Sequence, residues 1–248
     1  MEDVLYHTFY EVEKVHWWCR TRKDILVDVT HALLPAGGKV LDVGCGTGFF
    51  IENLGPGFEA WGLDASPLAV SMCRERGLSR VFEGSATELA AVADERFDAV
   101  FMFDVLEHLD DDLGALERAK TLLKPGGLII VTVPAFEFLW SKHDDITQHK
   151  RRYVRAQLAD LFGRARLETL KLTYFNSYLF PIAAVRRLGR RLTRTDDGVE
   201  FDVPAKPLND FLGRVFRSET ARVLAAGPEG AFPVGLSLLA VGRVAGPT

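Results

Sequence analysis

The run Val40-Leu41-Asp42-Val43-Gly44-Cys45-Gly46-Thr47-Gly48 constrains this chain more than any other feature: an apolar stretch leads straight into a glycine-rich turn. Residues 39–44 read as a buried strand and the residues after the turn as a helix. Gly44 and Gly46 permit backbone conformations closed to other residues and let a ligand approach the main chain; Gly48 allows the helix to pack closely. Asp64 stands 20 residues beyond Gly44, at the end of a second strand, where a carboxylate can accept both hydroxyls of a ribose. Together these features predict an adenosine-containing ligand on a parallel sheet.

The rhythm continues along the chain. Strands are expected at 39–44, 58–64, 79–85, 97–103 and 127–134, with helices in the gaps, the pattern of repeated βαβ units. Ser66-Pro67 is a helix start and Gly77 a helix stop, and Lys124-Pro125-Gly126-Gly127 is a breaker before the fifth strand. Beyond Pro134 come an aromatic and charged loop (135–153), a helix (156–162) and a sixth strand (167–175). Residues 176–232 read as a helical insertion: a basic apolar helix, a Pro/Asp/Gly linker at 195–207 and a helix at 208–225. The segment 233–244 then returns as a last strand.

With 248 residues the chain suits one large α/β domain, and its net charge of −4 supplies no field for holding DNA or RNA. Cys19, Cys45 and Cys73 form no CxxC pair, so neither zinc nor a redox site is indicated. The opening residues lack a signal-peptide core, and no apolar run has membrane-spanning length; a cytoplasmic protein, free or peripherally attached to a membrane, is expected.

A glycine-rich turn alone also serves dinucleotide enzymes, but the third position of the GxGxxG fingerprint is here Phe49, which disfavours an NAD-type oxidoreductase. The GxGxG spacing behind Asp42 resembles motif I of class I S-adenosylmethionine (SAM)-dependent methyltransferases. The resemblance runs on through Asp64 and the stretches 83–86, 97–109 and 122–134. It implies a Rossmann-like α/β fold with a seven-stranded sheet ordered 3-2-1-4-5-7-6, strand 7 antiparallel. N-terminal lid helices (1–35) would precede the methyltransferase domain (36–248), whose insertion occupies 176–232. Carried over by position, Gly44, Cys45, Gly46 and Gly48 surround the methionine moiety and ribose, and Asp42 relates to its amino group. Asp64 binds the ribose, Ala65, Ser85 and Ala86 border the adenine, and Phe103 lies beside the methionine chain.

The lead segment resembles the lid helices of quinone and natural-product methyltransferases. Tyr6, Trp17 and Trp18 could shield a sulfonium from water, and Arg22, or else Arg20, could pair with the cofactor carboxylate. On the acceptor side, His108 follows the fourth strand, while His143 and His149 share a loop with Trp140 and Tyr153. An alcohol or phenol must lose a proton on methylation, and histidine is suited to accept it. His143 oriented by Asp144 is the favoured base and His149 the next. The same loop could instead bind a divalent metal through His143, Asp144, Asp145 and His149, or be anchored on Arg151, Arg152 and Tyr153.

The stretch 178–194 interleaves Leu179, Phe180, Ile182, Val185, Leu188 and Leu192 with five arginines, a pattern that can lie on an anionic membrane, cover the substrate pocket or form a dimer face. The expected activity is methylation, most simply at oxygen, of a small-molecule or lipid-linked acceptor. The rivals are an oxidoreductase and an inactive SAM-binding partner protein.

Overall fold

The computed structural model describes residues 3–193 and 202–245. Two helices, α1 (Asp3–Val12) and α2 (Trp17–Leu33), precede the first strand. The chain then alternates through β1 (Gly38–Val43), α3 (Phe49–Glu52), β2 (Phe58–Asp64), α4 (Pro67–Glu75), β3 (Val81–Glu83), β4 (Phe97–Phe103), α5 (Asp112–Thr121) and β5 (Leu123–Pro134). After β5 come α6 (Lys142–Ile146), α7 (Arg155–Arg164) and β6 (Glu168–Phe175). The helices α8 (Phe180–Thr193), α9 (Lys206–Arg217) and α10 (Thr220–Ala225) lead to β7 (Ser237–Arg243).

Strand order is β3-β2-β1-β4-β5-β7-β6. The first five strands pair in parallel, and β7 runs antiparallel between β5 and β6. Parallel strands need helical crossovers, which cover both faces of the sheet; the central strands are therefore apolar throughout. Val100, Phe101, Met102, Ile129, Ile130 and Val131 have no exposed surface.

Local chemistry sets the boundaries. Ser66 Oγ accepts from the Ala69 amide, Pro67 opens α4, and Gly77 (φ 83°) takes the chain out of it. The cluster 124–127 does not precede β5 but lies inside it: Leu123 already pairs with Phe97, and the register slips before Ala99 pairs with Leu128. Such a bulge lets a strand absorb the residues that would otherwise end it. The helix expected over 208–225 is two helices, parted at Ser218 and Glu219. Most of the linker expected at 195–207 falls outside the described residues, as do Arg194 and the side chains of Arg190, Arg191 and Leu192.

The lead and the insertion, separate features in the sequence, pack as one cover. Asn209 of α9 accepts from the Trp17 amide and donates to the Val15 carbonyl, each at 2.9 Å. Trp17 meets Phe216 edge to face, and Arg217 pairs with Asp28 of α2 at 2.6 Å. Asn209 is nearly buried, so both hydrogen bonds are shielded from competing water.

Candidate active site

The C-terminal edge of a parallel sheet is where its strands end in loops, and ligands bind where strand order reverses. Here that point lies between β1 and β4, under the cover made by α1, α2 and α9. A cavity of about 710 Å³ opens there, from the glycine-rich turn to the loop after β5.

At one end the backbone of the turn is exposed to the cavity. Gly46 has φ 54°, a left-handed conformation that glycine adopts without strain, and a Cβ there would meet nothing within 4 Å. Gly48, also left-handed, has a different reason: its Cβ would lie 2.5 Å from Leu78 and 2.8 Å from the Cys73 sulfur. Asp42 lines the cavity almost wholly buried, and its Oδ1 has no hydrogen-bond partner among the described residues. Burial pushes its carboxyl up to about 8, against the pull of Arg22. Arg22 donates to Thr132 Oγ1 at 2.6 Å and pairs with Asp104 at 2.8 Å, its guanidinium lying over Trp18 and Phe103. Its Nε is buried and has no partner among the described residues.

Asp64 is already engaged. It accepts from the Gly46 amide at 2.8 Å, the Ser66 amide at 2.9 Å and the Tyr6 hydroxyl at 3.2 Å. A carboxylate has about four acceptor positions, so one remains. Tyr6 thus docks α1 onto Asp64, packing beside Ala69 and Met72; Tyr6 lines the cavity, whereas Asp64 lies behind it and does not. Burial and Asp64 both raise its phenol, which keeps it a donor. Just past the end of the same helix, Glu13 takes hydrogen bonds from Thr47 and Arg76.

At the other end, the loop after β5 is built around one carboxylate. Asp144, fully buried, receives Arg152 through Nε at 2.8 Å and Nη2 at 2.9 Å. It also accepts from the Ser141 amide at 2.8 Å and lies 2.7 Å from His149 Nδ1. Burial disfavours its charge, but the hydrogen bonds from His149 and Arg152 outweigh that and hold the carboxyl well below its ordinary range. The hydrogen bond that Asp144 makes to a histidine ring goes to His149, where the sequence had paired it with the adjacent His143. The reason is helical: His143 and Asp144 are adjacent on α6 and point apart, while the chain turns back to bring His149 onto Asp144. His143 still lines the cavity, its ring 6.2 Å from that of His149, and His108 lies 4.9 Å from His149 on the other side.

Several expected site residues are not brought to the cavity. Arg20 is exposed and does not line the cavity, so Arg22 alone of the two faces it. Trp140, expected on the acceptor side, donates to Asp145 at 2.9 Å, and neither residue lines the cavity. Tyr153 is a buried anchor, donating to Asp112 at 2.8 Å and to the Leu106 carbonyl. Ala65, Ser85 and Ala86 lie outside the cavity, beyond the Tyr6–Asp64 contact, with Ser85 hydrogen-bonded to Thr87. Cys45 and Phe103 do line it.

The sequence reading missed Glu107. It has no exposed surface, it lines the cavity, and neither carboxylate oxygen has a hydrogen-bond partner among the described residues. Burial, then the neighbouring Asp104, raise its carboxyl well above the ordinary range. Its position directly after β4, in Asp104-Val105-Leu106-Glu107-His108, was the available signal, since strand ends carry the site in this architecture.

Comparison with known proteins agrees with this geometry. A ubiquinone biosynthesis O-methyltransferase of Cereibacter sphaeroides (strain ATCC 17029 / ATH 2.4.9) is 37% identical over 108 residues, 42% of this chain and 44% of the relative. The chain thus spans less than half the length of that relative. The enzyme of the same name from Thiobacillus denitrificans is 32% identical over 157 residues, 56% of this chain and 68% of the relative. In fold, a methyltransferase of Haloferax volcanii solved in complex with the Trm112 methyltransferase activator superposes with a TM-score of 0.60. It is 21% identical and covers 99% of this chain and 96% of its own. Residues 18–172 match the methyltransferase domain family, and with the strand order that carries its site, the chain belongs to that family.

Proposed function

We propose that the protein is a SAM-dependent O-methyltransferase acting on a hydroxyl of a small-molecule or lipid-linked, quinone-type acceptor. One observation carries this reading: a single cavity joins the glycine-rich turn to a histidine held by a buried carboxylate. The names of the sequence relatives support oxygen as the methylated atom.

The turn fits the cofactor on its methionine side, because the open face of Gly46 and the unmet Asp42 Oδ1 and Arg22 Nε all border the cavity. Gly44, Cys45 and Gly46 would border the bound molecule, and Asp64 would offer its remaining acceptor position to the ribose. SAM, when bound, supplies an electrophilic methyl group on a sulfonium. The protein's own work is positioning and proton removal. Trp18 and Phe103 keep water from that end of the cavity. At the other end, Asp144 accepts a hydrogen bond from Nδ1–H of His149, which leaves Nε2 as the atom able to accept the proton of an acceptor hydroxyl. Arg152 keeps Asp144 ionised and fixed, so the imidazole cannot turn away.

A second reading has its own observation. Glu107, His108 and His149 each offer a ligand atom, all within 4.8 Å of one another. A divalent cation there would share only His149 with the set expected from His143, Asp144, Asp145 and His149, and would polarise the acceptor oxygen directly. Incubation with methyl-labelled SAM and catechol-type quinone precursors, with and without chelator, tests both. Labelled O-methyl product that survives chelation supports the histidine base, and product lost with chelator and restored by Mg²⁺ or Mn²⁺ supports the cation. Absence of labelled product would overturn the activity and leave a SAM-binding partner protein as the remaining reading.

The apolar side of α8 supports peripheral membrane contact by a cytoplasmic protein: Ile182 and Val185 are about 70% exposed (69% and 73%), beside the exposed Arg186. No described helix is long and apolar enough to cross a membrane.

A further inference from the structure

At the end of β6 the chain makes a turn whose side chains the proton-removal step leaves unused. Asn176 has φ 55°, no exposed surface, and a carboxamide whose Oδ1 and Nδ2 both lack hydrogen-bond partners among the described residues. Buried amides normally have partners, so an amide with both ends unmet stands out. Asn176 lines the cavity, on a wall otherwise made by Pro134, Ala183, Leu236 and Ser237.

The turn is fixed from outside the cavity. Glu219, fully buried between α9 and α10, accepts from the amides of Ser177 and Tyr178, each at 2.7 Å, while the Asn176 carbonyl accepts from the Leu236 amide. The backbone clamp therefore leaves the carboxamide without local work. A donor and an acceptor on one neutral group recognise a ligand carrying both on adjacent atoms. A carboxylate or phosphate would leave the amide oxygen facing like charge, and a hydrocarbon would leave both ends unmet.

Resting on the acceptor-methylation reading above, we propose that Asn176 is the acceptor-recognition residue. Its ligand is an aromatic ring bearing neutral oxygen substituents side by side, such as a hydroxyl next to a methoxyl or carbonyl group. The apolar wall takes the ring and any hydrocarbon attached to it.

The competing reason for asparagine here is its tolerance of the left-handed conformation, which glycine shares without the amide. Asn176→Gly therefore separates the two. Binding of catechol and of 3-methoxycatechol would be measured calorimetrically, with S-adenosylhomocysteine present, in the wild type, Asn176→Gly and the near-isosteric Asn176→Asp. The wild type should prefer 3-methoxycatechol, and Asn176→Gly should lose that preference with about a tenfold or greater loss of affinity for it. Affinity for S-adenosylhomocysteine should not change. Asn176→Asp, which keeps the shape but has no amide donor, should lose the preference as well. Equal preference in the wild type and a folded Asn176→Gly would overturn the assignment and leave the backbone as the reason for asparagine. Failure of both probes to bind the wild type would instead bring down the hydroxyl-acceptor reading, and this assignment with it.

Discussion

The two ends of the cavity are built by opposite strategies. The glycine-rich turn at the cofactor end is a contiguous stretch, residues 40–48, whose shape follows from one strand, one turn and three glycines in left-handed conformations. The acceptor end takes His108 from after β4, His149 from the loop after α6, Asn176 from after β6 and Leu236 from before β7. A contiguous turn needs only the sheet beneath it, whereas the dispersed wall depends on the insertion docking against the lead helices. The first end should therefore respond to substitution in cofactor affinity alone, and the second in acceptor turnover alone.

The largest effect expected from that division is at His149. His149→Ala should retain affinity for S-adenosylhomocysteine and lose about 10²- to 10⁴-fold in kcat, the range of a general base. His143→Ala should lose less than about tenfold, because the Asp144 carboxylate is bonded to His149. Steady-state kinetics on a catechol acceptor decides the matter; equal losses in the two variants would return the base to His143 or dissolve the distinction.

At the cofactor end, Asp64→Ala should weaken SAM binding by about one to two orders of magnitude, from charge-assisted hydrogen bonds worth roughly 1.5 to 3 kcal/mol. Calorimetry on the folded variant measures it, and Tyr6→Phe alongside shows how much of the change comes from freeing α1. An unchanged affinity in Asp64→Ala would remove the ribose role.

Asp42 gives the comparison a pH dependence. Its folded carboxyl titrates near 8, above its unfolded value, so the folded protein binds more protons between those limits. That contribution to stability is present at low pH and is lost as pH rises through about 8. A cofactor ammonium beside Asp42 favours the ionised form, so SAM affinity should rise by up to about tenfold per pH unit below that point, with proton release. Binding enthalpies that match in buffers of different ionisation enthalpy would exclude the release. Asp42→Asn should flatten both trends.

The smallest effect tests the cover. Asn209→Ala removes both hydrogen bonds to the lead segment and should lower stability by about 1 to 3 kcal/mol, since it strands a buried amide and a carbonyl. Thermal unfolding would show it, and a melting temperature equal to wild type would mean that the cover rests on its apolar contacts alone.

How much of this could be read from the chain depends on the distance over which each feature is encoded. The alternation of strands and helices and the glycine-rich turn follow from periodicity, glycine spacing and Asp64, all of them local or repeated signals, whereas the strand order came only with the family resemblance. The charge-bearing residues of the acceptor end were visible as types: His108, His143 and His149 were all marked as candidates. Their partnerships were not. Asp144 is next to His143 in sequence, yet it bonds His149, because a one-turn helix sends neighbouring side chains apart and the following turn folds the later histidine back.

Sequence by itself determined the fold class, the place of the glycine-rich turn and the edge of the sheet where the cavity opens, since backbone conformation and strand periodicity are written in adjacent residues. Tertiary structure alone decided which histidine owns the carboxylate, that Tyr6 occupies Asp64, and that Glu107 and Asn176 are buried with their polar atoms unmet. Those outcomes depend on burial and on partners far apart in the chain. The same carboxylate or amide that is solvated on a surface becomes an unmet demand once packing removes its water.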